Sequence, residues 1–271
     1  MRLLCLNCYG LGNPETVREL HDLVKIEDPQ VLFLSETRLA AGNSDWVRVK
    51  LGFGSSLVVN QVGLGGGLML LWTDSSSVSI RSYSPHHIDA SVTLADGIHW
   101  RFTGFYGQPM TSRRFLSWEL LRRLGTTNSE PWLVAGDFNE ITEPSEKTGT
   151  YMRPLPQMEA FYQVLSECNL QDMGFLGSPF TWYNRRGEND LVLARLDRGV
   201  CNNEWASLYP SFRIRYISFA SSNHSTIAID LMGEAPNHVR RKKLFRFDHT
   251  WVKLEGCDDK IREAWSQCFE G

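Results

Sequence analysis

The sequence predicts an α/β protein: two packed β-sheets with helices on their outer faces. Three observations lead there. Apolar runs of strand length recur along the chain, a few segments space their apolar residues at helical intervals, and no internal repeat is present. The 271 residues suit one large domain with or without a tail, and 42% hydrophobic residues supply a substantial core.

The elements follow in order. Leu3 to Leu6 is the first candidate buried strand. Asn13-Pro14 then starts a helix, with Asn as N-cap, Pro at the first helical position, and Val17, Leu20 and Val24 on one face. Val31 to Leu34, Leu57 to Val59, Leu68 to Trp72, Val78 to Tyr83 and Trp132 to Ala135 are further candidate buried strands. Two segments alternate instead. Trp100, Phe102 and Gly104 oppose His99, Arg101 and Thr103, and Phe212, Ile214 and Tyr216 oppose Arg213 and Arg215, so each strand should have one wet or basic face. Thr111 to Leu124 reads as a helix with Phe115, Trp118 and Leu121 inward, and Gln157 to Cys168 as another carrying Met158, Phe161 and Leu165. Composition shifts after Leu231. We place one domain over residues 1–232 and a basic linker or tail over 233–271, with four consecutive cations from Arg240 to Lys243.

The net charge of −3 identifies no partner, since cations that face phosphates can be local. The longest apolar run is far shorter than the ~20 residues of a membrane span, and no signal peptide is evident, so the expectation is a soluble intracellular protein. Cys5 and Cys8 have metal-like spacing without a second pair and read as buried reduced thiols.

Polar residues suited to metal or phosphate chemistry stand just after the strand-like runs. Asn7, Glu36, Tyr106, Asp137 and Asn139 each follow one. A strand end is a rigid mount, and one rim of a sheet brings distant residues together. Glu36 alone reads equally as a solvated loop carboxylate, and Gly136-Asp137-Phe138-Asn139 as an Asx turn. His224 and Asp197 have the chemistry of an acid/base unit, provided they touch.

Seven segments in this order resemble one known family: Leu6 to Gly12, Phe33 to Thr37, Phe102 to Gly107, Trp132 to Glu140, Ser178 to Trp182, Arg195 to Arg198 and Ser222 to His224. They are similar to the endonuclease domain of plant LINE-type (non-LTR) retrotransposons, within the DNase I-like endonuclease/exonuclease/phosphatase superfamily. The resemblance implies a four-layer α/β sandwich whose active site lies at one rim between the sheets. It implies a magnesium ion, replaceable by manganese, held by Asn7, Glu36 and Asn223. It gives Tyr106 and Asn139 contacts to the scissile phosphate and Asp137 the attacking water. His224, braced by Asp197, becomes acid/base or transition-state stabiliser, Thr181 touches phosphate or neighbouring site residues, and Ser222 lies at the phosphate. The implied activity is DNA nicking, with DNA as partner, a reverse transcriptase region outside this chain, a connector from Phe245 to Trp265, and nuclear location.

Departures stand out at three positions. The family usually has Ser-Asp-His where this chain has Ser222-Asn223-His224, so a metal-site charge is lost. Two smaller ones flank Asn7: Leu6 and Tyr9 stand where Trp and Arg are expected, and the Tyr9 change is expected to remove a DNA or phosphate contact. These changes raise an alternative: a weakened or dead retroelement remnant that keeps the fold and binds nucleic acid weakly. A phosphatase or lipid phosphodiesterase of the same superfamily ranks last.

Overall fold

The computed structural model describes residues 1–233, apart from 40, 41, 43, 62, 64, 75, 76, 127–129, 150, 188 and 189, together with residues 256, 259, 260 and 262. The Arg240 to Lys243 run and most of the connector segment lie outside the described residues.

Two βαβ units organise the chain. In the first, β1 (Arg2–Asn7) leads through α1 (Pro14–Glu27) to the parallel strand β2 (Val31–Ser35). The helix starts as the sequence requires: Asn13 Oδ1 accepts the Glu15 N–H, and Pro14 needs no donor. Next come α2 (Ser44–Leu51), β3 (Ser55–Val59), β4 (Leu68–Trp72), β5 (Ser77–Ser84) and β6 (His87–Thr93). The second unit is β7 (His99–Tyr106), α3 (Arg114–Gly125) and the parallel strand β8 (Trp132–Asp137). The remainder is α4 (Leu155–Glu167), β9 (Gln171–Asp172), β10 (Trp182–Tyr183), β11 (Leu193–Ala194), β12 (Asp197–Cys201), α5 (Asn203–Leu208), β13 (Arg213–Ile217) and β14 (Thr226–Asp230).

One six-stranded sheet has the order β13-β14-β1-β2-β4-β3 and the other β5-β6-β7-β8-β12-β9. In each, a single parallel pair sits among antiparallel neighbours, so both sheets are mixed. Strand periodicity divides the apolar residues into layers. Leu3, Cys5, Val31, Phe33 and Leu70 face Ile88, Trp100, Phe102, Leu133 and Ala135 between the sheets. Leu4, Leu6, Leu32, Leu34 and Met69 point outward onto Val17, Leu20 and Val24 of α1 and Val47 of α2. On the far side Phe105, Trp132 and Val134 meet Trp118 and Leu121 of α3 and Phe161 and Val164 of α4. The result is the four-layer α/β sandwich.

Some sequence expectations need correction. Val78 to Tyr83 forms β5, a half-exposed sheet edge rather than a buried strand. The face of β7 carrying Arg101 and Thr103 is dry: α3 covers it. Arg101 forks onto Asp89 at 2.8 and 3.0 Å and donates to the Leu124 carbonyl, while Thr103 donates to Asp89. Phe115 is exposed, because Arg114, Ser117, Trp118, Leu121 and Leu124 form the inward stripe of α3. On β13, Arg213 is exposed as expected and Arg215 pairs with Glu27. Cys5 and Cys8 are buried and free, with burial raising both thiols far above the ordinary value.

Candidate active site

Both βαβ units end at the same rim. Asn7 pairs in register with Ser35 at the ends of β1 and β2, and Tyr106 with Asp137 at the ends of β7 and β8. Carboxyl ends of parallel strands are where α/β sheets open a crevice, and here two such ends face each other. Gly136 holds this edge together for a steric reason. Its φ of 144° disfavours other residues, and a Cβ there would meet the Phe105 carbonyl oxygen at 2.1 Å. Left-handed backbone also gathers at the rim: Tyr9, Glu36, Arg38, Asn139 and Arg185 all have φ between 49° and 57°. Strained backbone of this kind concentrates at functional sites.

Asp137 lies at the centre and is buried. Its Oδ2 accepts from Asn7 Nδ2 at 3.0 Å and Asn139 Nδ2 at 3.2 Å, and its Oδ1 accepts from the Asn139 N–H at 2.8 Å. The His224 Nε2 stands 3.9 Å from Asp137 Oδ2, while His224 Nδ1 lies 2.9 Å from Asp197 Oδ2. The imidazole therefore sits between two buried carboxylates. Burial opposes its charge, but Asp197 and Asp137 outweigh burial and push its pKa up to about 9. Burial pushes Asp137 up to about 7, with His224 and the Asn7 amide pulling the other way and Asp197 adding to the rise.

Thr181 touches neighbouring site residues, one of the two roles the resemblance gives it, and Ser222 also turns inward. Thr181 Oγ1 accepts the Leu196 and Asp197 N–H groups, and Ser222 Oγ donates to the Asn7 carbonyl and accepts the His224 N–H. Both are buried and brace Asp197 and His224. Tyr106 donates to Glu36 Oε1 at 2.7 Å, and Arg38 Nη2 donates to Glu36 Oε2 at 2.7 Å. The Tyr9 ring gathers positive charge at the rim. It carries the Arg38 guanidinium at 4.1 Å and the Arg185 guanidinium at 4.7 Å. Sequence reasoning had no signal for this clamp, because residues 9, 38 and 185 meet only in three dimensions.

The donor set fits a hard divalent cation. Asn223 Oδ1 is buried with no hydrogen-bond partner, in the same cleft as the Glu36 carboxylate. Asn7 Oδ1 accepts only a long 3.3 Å bond from the Tyr9 N–H among the described contacts. Glu36, Asn223 and Asn7 would hold the ion through oxygen, as such ions require. Asp137, Asp197 and His224 also present ligand atoms within 4.8 Å of one another, although His224 Nδ1 is engaged by Asp197.

Residues 4–224 match the endonuclease/exonuclease/phosphatase family. The chain belongs to that family. Its members are generally divalent-metal dependent. The fold is similar to that of the AP endonuclease LMAP from Leishmania major, with TM-score 0.66 and 16% identity over 84% of this chain and 86% of that one. It is also similar to the endonuclease domain of TRAS1, a telomere-specific non-LTR retrotransposon, with TM-score 0.62 and 12% identity over 84% and 97%. A third is the 3′ phosphatase NExo from Neisseria, bound to a product DNA hairpin, with TM-score 0.60 and 15% identity over 85% and 98%. A comparison with curated protein sequences gives no match. No helix among the described residues of this family member is long and apolar enough to cross a membrane.

Proposed function

We propose that this chain is a divalent-cation-assisted phosphodiesterase that nicks DNA, in the manner of a LINE-type retroelement endonuclease. The observation that carries this reading is His224, held between Asp137 and Asp197, in one cleft with Glu36, Asn139 and Asn223.

The protonation states divide the work. Near neutral pH the His224 ring holds its proton and Asp137 stands at its titration point. Asp137 is then the group that accepts the proton of an attacking water. The His224 imidazolium, oriented by Asp197, opposes the negative charge that builds on the phosphoryl oxygens. The Asn139 amide and the Tyr106 phenol stand beside it, with their protons on Asp137, the Gly107 carbonyl and Glu36, and either turns from these partners to donate to a phosphate. A bound magnesium or manganese ion supplies Lewis-acid polarisation of a phosphoryl oxygen. DNA is favoured as substrate by the Arg38–Tyr9–Arg185 clamp at the rim and by the likeness to nucleic-acid enzymes.

A second reading, a weakened retroelement remnant, rests on Asn223, which offers the cation an oxygen without a charge. Supercoiled plasmid separates the two. The protein with magnesium should convert it to the open circle, and chelator, Glu36→Ala or His224→Ala should stop the conversion. A fully active Glu36→Ala/His224→Ala double variant overturns the mechanism. A silent natural chain that Asn223→Asp awakens establishes the weakened reading.

A further inference from the structure

The cleft that contains Glu36, Asn139 and His224 continues past them. About 900 Å³ in all, it runs to a wall made by Arg114, Lys147 and Arg153 and edged by Tyr151 and Met152. Arg114 opens α3, and Arg153 lies shortly before α4. Both reach the same carboxylate. Glu140 is only 1% exposed, and its Oε2 takes Arg114 Nη1 at 2.8 Å while Arg153 Nε lies 2.8 Å from its Oε1. That oxygen also accepts the Ile141 N–H.

One negative charge thus stands against three positive ones. Lys147 Nζ donates to the Tyr151 carbonyl, which is neutral. The Arg114 Nε is buried without a hydrogen-bond partner. Burial, and after it the charge of Arg153, lowers the Lys147 pKa. Burial also lowers that of Arg153, with Arg114 adding to the effect and Glu140 opposing it. A partly desolvated wall with excess positive charge attracts an anion. Beside it Tyr151 is 83% exposed and Met152 is exposed too, an apolar edge that a free inorganic anion has no use for.

We propose that Lys147, Arg153 and Arg114 form a second phosphate subsite, which takes a backbone phosphate of the DNA strand next to the one at His224, with Tyr151 stacking on a base at its edge. The assignment of the strand as DNA rests on the nuclease reading. The subsite gives the enzyme a preference for a polymer over an isolated phosphodiester.

The test is fluorescence anisotropy of a short labelled DNA duplex and single strand on the full chain, across a salt series, in calcium. Lys147→Gln should weaken binding about 3- to 10-fold and flatten the slope of log affinity against log salt by about 0.7–0.9, the loss of one phosphate contact. Tyr151→Ala should weaken binding to single strands by about 5-fold or more without changing that slope. Lys50→Gln on α2 is the control and should match the natural chain. A salt slope that Lys147→Gln leaves unchanged overturns the subsite, even if plasmid nicking is observed. Lys147-dependent binding to anionic vesicles but not to DNA overturns it as well. Lys147-dependent DNA binding by a chain that never nicks supports the subsite and sinks the nuclease reading instead.

Discussion

Two ionic clusters share strand β12 and behave in opposite ways. Arg198, fully buried, bonds Glu146 at 2.7 Å and Asp172 at 3.0 Å, and Arg195 bonds the same two carboxylates at 2.8 and 2.7 Å. Two cations meet two anions. Burial raises the Glu146 and Asp172 carboxyls, but the guanidinium charges outweigh it and hold both below the usual range. One residue earlier, Asp197 points to the other face of the strand and joins Asp137 and His224. There two carboxylates share one imidazole, and Asp137 is pushed up to about 7. A matched cluster is fixed in one protonation state and serves the fold. A mismatched one is poised between states, which proton transfer requires.

Breaking the matched cluster should have the largest effect. Arg198→Ala leaves Glu146 and Asp172 without their main partner, and stability in urea should fall by about 3–5 kcal/mol. If the urea midpoint hardly moves, the cluster is not structural. In the mismatched cluster, Asp197→Asn removes the brace of His224. Nicking should slow by about 10²- to 10⁴-fold with the fold retained, and the ring pKa should drop on NMR titration.

The pH dependence sharpens the contrast. Activity should rise as Asp137 deprotonates near pH 7 and fall as His224 deprotonates near pH 9, giving a bell between those values. Stability carries its own sign. The His224 pKa is raised on folding, so its contribution is complete below about pH 6.5 and is lost as pH rises through about 9. Asp137 is also raised, so its ionisation between about 3.8 and 7 weakens the folded state. A flat rate profile from pH 6 to 10 is incompatible with this pair. The smallest effect is expected from Asn223→Asp, which adds one ligand charge and should tighten divalent-cation binding on the order of tenfold by calorimetry.

Much of the site is legible in sequence because of one regularity. Asn7, Glu36, Tyr106 and Asp137 each end or follow a strand-length apolar run, and the chain places such residues at the sheet rim. The roles of Thr181 and Ser222 are less legible. Thr181 and Ser222 stand in motifs that also contain reactive groups, and spacing does not tell a residue that touches phosphate from one that holds its neighbour. For Arg101, alternation shows that a strand has two faces but not that α3 covers the second. The His87–Thr93 strand escaped notice because its buried Asp89 gains its partners, Arg101 and Thr103, from the next strand. Nothing in the spacing of Arg114 shows that Glu140 holds it at the cleft wall.

By itself the sequence determined the periodicities: which segments alternate, which run apolar, where Asn13 caps a helix, and which polar residues follow strands. Those are short-range properties, set by backbone geometry and side-chain type. The tertiary structure decided which charges are matched. Coulomb energy depends on distance and burial, and a chain that brings Asp137, Asp197 and His224 within 4.8 Å from positions far apart in sequence sets both only on folding.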